Sequence, residues 1–248
     1  MKIIRILKGM RRQTLEKAVL CVLCAFSGIS ALYSIRLKNL IYVLSSFMSL
    51  LLLLLPLIAE RWFSVRISCD LKAAYYFLVV GGPVLGNVYK FYHYIRPWDK
   101  ILHFTSGFAI AALGYALSDL AGWGNGKGSV FFMCLFAFCF SMAASAVWEI
   151  YEYALDVFFK MDMQNDTVIT EIASYMIGDE PGTIGIIENI ELVHLNGEPF
   201  EYGYIDIGLI DTMKDMILCA LGACAFCMTA FRKKKHPNYA SIRRVPCA

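Results

Sequence analysis

Charge is what this sequence has little of. Only 17% of its 248 residues are Asp, Glu, Lys or Arg, 58% are hydrophobic, and the mean hydropathy is +0.57. Such a composition excludes a soluble domain of this length, which would need more charge to cover its surface, and leaves an integral membrane protein. No window has the composition of a separate soluble domain and no internal repeat is visible, so residues 1–248 read as a single membrane domain. Cysteine is absent from segment 160–209, which removes an external disulfide framework. That segment also holds ten acids and a single lysine, Lys160, which suits the extracytoplasmic side. A small-residue cleavage site is missing after the first apolar run. The basic start MKIIRILKGMRRQTLEK imitates a signal peptide, but ALYSIRLKNL after Ser30 offers no such site, so the first span is expected to be an uncleaved helix.

What is present is a series of apolar runs near the ~20 residues needed to cross a bilayer. Six are read, at about 18–35, 40–59, 73–92, 100–120, 129–159 and 210–231. The expected fold is an all-α polytopic membrane protein, a six-helix transmembrane bundle. Lys2, Arg5, Lys8, Arg11, Arg12 and Lys17 precede the first span, and Arg232, Lys233, Lys234, Lys235, Arg243 and Arg244 follow the last. Six spans put both termini on one side, and both are basic, so both are expected to be cytoplasmic. Lys90, Arg96 and Lys100 between spans three and four run against this and are outweighed. Seven of nine cysteines (Cys21, Cys24, Cys134, Cys139, Cys219, Cys224 and Cys227) fall inside spans, and Cys69 and Cys247 in cytoplasmic segments. Cys21-Val-Leu-Cys24 is formally CxxC, but within lipid it reads as packing.

The scarce charges are not scattered. Span four opens PWDKILHFTSG, with Asp99 and His103 four residues apart on one helix face. Span five closes AVWEIYEYALD, where Glu149, Glu152 and Asp156 project within an arc of about 60°. Span six opens IDTMKDMILCALGA, again with two acids, Asp211 and Asp215, on one face. In a six-span topology these three helix ends share the outer leaflet. The helix dipole favours Asp99 and Asp211 in first turns, but acids at the end of span five are on the wrong side of it. A charged side chain at the bilayer centre costs about 2.5–3.5 kcal/mol on the insertion scale, and less toward the interface. Lys100 and Lys214 lie off the stripes, so a cation is the expected neutraliser. Six carboxylates and one imidazole make a hard, oxygen-rich set, suited to one or two divalent metal ions such as Mg²⁺, Mn²⁺, Ca²⁺, iron or zinc. A proton-titrating cluster and solvated helix ends are the alternatives.

The order WDKILHFTSG, WEIYEYALD, DTMKDMILCALGA resembles the YjdF-like bacterial inner-membrane family, and the D-K-x-x-H start more loosely resembles VanZ-like membrane proteins. The resemblance runs from about Trp98 to the sixth span. It implies a polytopic protein of the bacterial plasma membrane with these acid and His positions, and supplies no reaction. The long acidic segment before D-T departs from the shorter loop of that family.

Within that segment, GIIENIELVHLNGEPFEYGYI reads as a β-hairpin turning at Asn196-Gly197, which either shapes entry to the site or is a solvated connector. Asp166 and Asp206 could join the site, though no spacing demands it; His194 reads as structural. Pro83 predicts a kink in span three. Lys90, His93 and Arg96 after it either hold a lipid phosphate or snorkel to headgroups. Small residues at 107–114, 141–146 and 220–225 permit close approach of spans four to six. The expected partners are membrane lipids and a lipid-linked substrate, with no nucleic acid. The expected function is metal-dependent hydrolysis or transfer at the outer leaflet, with Glu152 as general base. A cation or proton transporter, or an accessory protein with a structural metal, are the competing readings.

Overall fold

A computed structural model describes residues 2–123, 129–233 and 242–244. Lys234, Lys235 and Cys247, used above for topology and thiol placement, lie outside the described residues. The chain is an all-α polytopic membrane protein with small antiparallel strand pairs. The helices are α1 (Lys2–Arg36), α2 (Leu40–Leu53), α3 (Leu55–Trp62), α4 (Cys69–Val80), α5 (Phe91–Tyr94), α6 (Trp98–Leu120), α7 (Ser129–Phe159) and α8 (Leu209–Lys233). A π-helical stretch, Gly81–Val88, continues α4. Among the described residues six helices are long and apolar enough to cross a membrane: Thr14–Arg36, Leu40–Trp62, Cys69–Val88, Trp98–Leu120, Val130–Phe159 and Leu209–Arg232.

The chain divides into two compact units, Met1–Ala144 with Leu218–Ala248, and Ser145–Ile217. In the first unit, two prolines decide how spans two and three are joined. Proline has no N–H, so the carbonyl four residues before it loses its helical donor. For Pro56 that carbonyl belongs to Leu52, and the Tyr75 hydroxyl of α4 donates to it at 2.8 Å. For Pro83 it belongs to Val79, and the Ser49 hydroxyl of α2 donates to it at 3.0 Å. Each helix thus repairs the proline defect of the other, which is how such breaks are tolerated in lipid. At the sequence-predicted kink of Pro83 the helix is wound as the wider π form. The α1–α2 seam is lined with fully buried Ser27, Ser30, Ser34, Ser46 and Ser49, with Ser27 Oγ 3.4 Å from Ser49 Oγ and Ser30 Oγ 3.2 Å from the Tyr89 hydroxyl.

One core of this unit gathers Ala111, Ala112 and Tyr115 of α6 with Met133, Cys134 and Ala137 of α7 and Ala223, Phe226 and Ala230 of α8. Another joins Leu20, Leu53, Tyr76, Val79 and Val84. α6 and α8 touch backbone to backbone: a Cβ on Gly107 would overlap the Cys219 carbonyl, and one on Gly222 the Phe104 carbonyl. The strand Val65–Ile67 (β1), between α3 and α4, pairs antiparallel with Ile242–Arg244 (β8), a pairing that hydrophobic patterning did not signal.

The second unit holds the last part of α7, the first turns of α8 and three strand pairs between them. β2 (Thr167–Ile169) pairs with β7 (Tyr204–Asp206), β3 (Ile172–Ser174) with β4 (Gly185–Ile187), and β5 (Leu192–Leu195) with β6 (Glu198–Glu201), all antiparallel. The last pair is the expected hairpin. Asn196 and Gly197 both have positive φ, 52° and 90°, as a type I′ turn requires.

Candidate functional site

In the first unit, the start of α6 is hung on the π-helical stretch. The Trp98 indole Nε1–H donates to the Gly81 carbonyl at 3.0 Å, and its ring meets Phe91 and Phe77 edge-on. This anchors the first turn of α6, which carries Asp99, with His103 one turn on. Asp99 Oδ1 lies 3.5 Å from His103 Nε2, and Asp99 Oδ2 lies 3.1 Å from Lys100 Nζ. The lysine expected to lie off the stripe therefore contacts its first acid, because its flexible stem folds back along the turn. His103 is buried. Its second ring nitrogen, Nδ1, is 3.8 Å from Cys219 Sγ on α8, and its carbonyl accepts from Cys219 Sγ at 3.2 Å and from Ser106 Oγ at 2.8 Å. α8 is continuous from Leu209 to Lys233, so Asp215 stands one helical turn before Cys219 on the same helix face.

In the second unit the five remaining acids fall into two groups. Glu149, Glu152, Asp211 and Asp215 are buried, Asp215 to 2% exposure. Glu152 Oε1 accepts from the Trp148 indole at 2.8 Å, one turn earlier on α7. Asp156, by contrast, spends both oxygens on the chain that follows: Oδ1 accepts from the Met163 amide at 2.6 Å and Oδ2 from the Gln164 amide at 3.0 Å. That explains an acid at the unfavourable end of the α7 dipole, since two amide donors compensate its charge. Asp211 Oδ2 accepts from Asn165 Nδ2 at 3.0 Å, and the Gln164 side chain donates through Nε2 to the Thr212 hydroxyl. Asp206, considered above for the site, instead accepts from the Ile210 amide at 2.8 Å and caps α8. Outside the spans, Asp162 has its pKa raised, first by partial burial and then by the negative charges of Asp166, Asp156 and Asp211.

Residues 15–236 match the family model described as predicted membrane protein (DUF2238). The chain belongs to this family. The match extends the YjdF-like resemblance over the first three spans; nothing in it supports the VanZ-like one. A protein of Thermotoga maritima described as uncharacterized is 29% identical over 137 residues, 54% of this chain and 69% of its own length. No solved structure matches.

Sequence reasoning missed two features of this DUF2238 chain. Gln164 and Asn165 stitch the end of α7 to the start of α8; the signal was a run of polar side chains, QND, directly after a helix end. The other is an ionic network in the first unit. Buried Lys72, in the first turn of α4, places Nζ 2.7 Å from Glu16 Oε2 and 3.3 Å from Glu60 Oε1. Glu60 also accepts from the Ile67 amide of β1 at 2.8 Å, and the Cys69 thiol donates to Glu16. Glu16, Glu60 and Lys72 each lie one or two residues outside an expected span, where a single charge reads as a solvated helix end.

Proposed function

We propose that the DUF2238 chain binds a divalent cation with the carboxylates of α6, α7 and α8 and uses it for hydrolysis or group transfer on a lipid or lipid-linked substrate. The side chains that would hold the ion include Asp99 and His103 from α6 and Asp215 from α8, each offering one ligand atom. Glu149, Glu152 and Asp211 complete the set. Asp156 remains a ligand candidate only through lone pairs its two amide donors leave available. The observation that carries the reading is the burial of Asp215 and Glu149, at 2% and 5% exposure, in helices of a membrane protein. Intramembrane carboxylates persist where they bind, pair or titrate.

The donor set fits a hard or borderline ion: carboxylate oxygens and one imidazole, with no thiolate required. When bound, such an ion polarises a phosphoryl or carbonyl oxygen and acidifies a coordinated water. Glu152, oriented by Trp148, is the residue assigned to accept a proton. Asp156, Gln164 and Asn165 hold the loop ends in register around α7 and α8. The termini are placed on the cytoplasmic side of a bacterial plasma membrane by their basic residues, which puts the acids in the outer leaflet.

The test is metal uptake followed by chemistry. Purified protein reloaded with Mn²⁺ or Zn²⁺ should retain about one or two ions per chain, as carboxylate-bridged helical sites do. It should release product from lipid phosphoesters only when loaded. Ion or proton flux in liposomes with no hydrolysis would replace the enzymatic reading with a transporter.

A further inference from the structure

We infer that Ser145 is a further ligand of the cation site, supplying a neutral oxygen beside Glu149, a role that rests on the metal reading above. A buried serine in a membrane helix has an acceptor at hand, because its hydroxyl can fold back onto the carbonyl one turn earlier. Ser30, Ser34 and Ser46 do so, donating to the carbonyls of Phe26, Ser30 and Tyr42 at 2.8, 2.7 and 2.9 Å. Ser141 of α7 donates instead to the Gly107 carbonyl of α6 at 3.0 Å. Ser145, one turn further along α7, is 4% exposed, and among the described residues nothing hydrogen-bonds to its Oγ. A buried hydroxyl left in that state is costly, and a rotation onto its own helix would remove the cost. A group from outside the chain accounts for its staying there.

The chemistry of that group follows from the face Ser145 shares. Ser145 and Glu149 are four residues apart and lie one above the other on α7. Helical side chains lean toward the N-terminus, so the longer Glu149 covers the turn that carries Ser145. The Cβ atoms of such a pair are about 5–6 Å apart, close enough for one ion to meet an oxygen from each. Hard divalent cations take carboxylate and neutral oxygens together, and a serine or threonine hydroxyl holds Mg²⁺ in phosphate-binding loops. Ser145 coordinates through a lone pair and keeps its proton, so it adds a ligand without adding charge. A buried water would also satisfy the hydroxyl, but a water does not respond to sulfur as a metal does.

The experiment measures Mn²⁺ and Cd²⁺ affinity of full-length protein in detergent for wild type, Ser145→Ala and Ser145→Cys. Ser145→Ala should weaken Mn²⁺ binding about 10-fold, the low end for changes close around a metal. It should not lower the melting temperature of the metal-free protein, since no hydrogen bond is lost. Ser145→Cys exchanges a hard ligand for a soft one. It should weaken Mn²⁺ by a similar factor and raise Cd²⁺ affinity above the wild-type value. A serine that only packs, or that holds only a water, leaves the preference between the two ions where it was. In wild type that binds Mn²⁺, an unchanged affinity in Ser145→Ala or an unchanged ion preference in Ser145→Cys would overturn the inference and leave the metal reading standing. Wild type that binds neither ion would overturn both.

Discussion

Two ionic groups in this molecule stand at the starts of successive spans and solve opposite problems. At the start of α4, buried Lys72 sits between Glu16 and Glu60, so the chain supplies both signs of charge. At the start of α6, Asp99 and His103 have Lys100 beside them; in the other unit Glu149, Glu152, Asp211 and Asp215 are buried. The first group is a self-contained clamp on α1, α3 and α4, each contributing one charged side chain. At the start of α6 one turn carries an acid, a lysine and an imidazole. Successive spans cross in opposite directions, so the two groups lie toward opposite faces of the membrane. A buried charge that its own protein neutralises is structural by default, and the acids of α6 to α8 are proposed to take a cation from outside.

The largest effect should come from breaking the first group. Lys72→Met leaves two partly buried glutamates without their shared cation and should cost about 3 kcal/mol, at the low end for breaking a buried pair. It should show as a lower melting temperature in detergent, recovered in part by adding Glu16→Gln and Glu60→Gln. The second group is tested through its ion. Asp215→Asn keeps the shape of the side chain and removes the charge that would hold one. At an ion concentration 100 times the dissociation constant, wild type gains about 2.7 kcal/mol from binding. Asp215→Asn should lose that gain, read as a missing thermal shift on adding Mn²⁺.

Smaller effects test the scaffold that carries both groups. Ser49→Ala and Tyr75→Phe each remove the hydroxyl donor from a carbonyl four residues before a proline, and should each cost about 0.6–1 kcal/mol by thermal unfolding. The smallest belongs to Asp162. Its pKa is raised in the folded state, so its stabilising contribution is complete below the unfolded value of about 4 and is lost as pH rises through the folded value. Asp162→Asn should therefore be slightly more stable than wild type near neutrality and indistinguishable from it at the acid end. Salt should shrink the difference.

The contrast between the groups also explains what was legible in the sequence. Six spans were readable because lipid demands long apolar runs, and the Asn196-Gly197 hairpin because positive φ at two successive residues needs those residue types. The acid stripes were readable because helical spacing places side chains four apart on one face whatever surrounds them. The Lys72 clamp was not, since Glu16, Glu60 and Lys72 lie far apart in sequence and only packing of three helices brings them together. Nor was the division of labour among the acids. Asp156 and Asp215 look alike in a helical projection, but one meets the amides of Met163 and Gln164 and the other is buried on α8. Cys219 reads in the sequence only as a cysteine inside a span, because its contact with His103 depends on how closely Gly107 lets α8 approach α6.

The most direct test of the central claim is the metal content of the gently purified and reloaded protein by elemental mass spectrometry, beside Glu149→Gln and His103→Ala. The account predicts about one or two ions per chain in wild type, lost in both variants while the fold is kept. Wild type without metal after reloading, or both variants with full metal content, would contradict it.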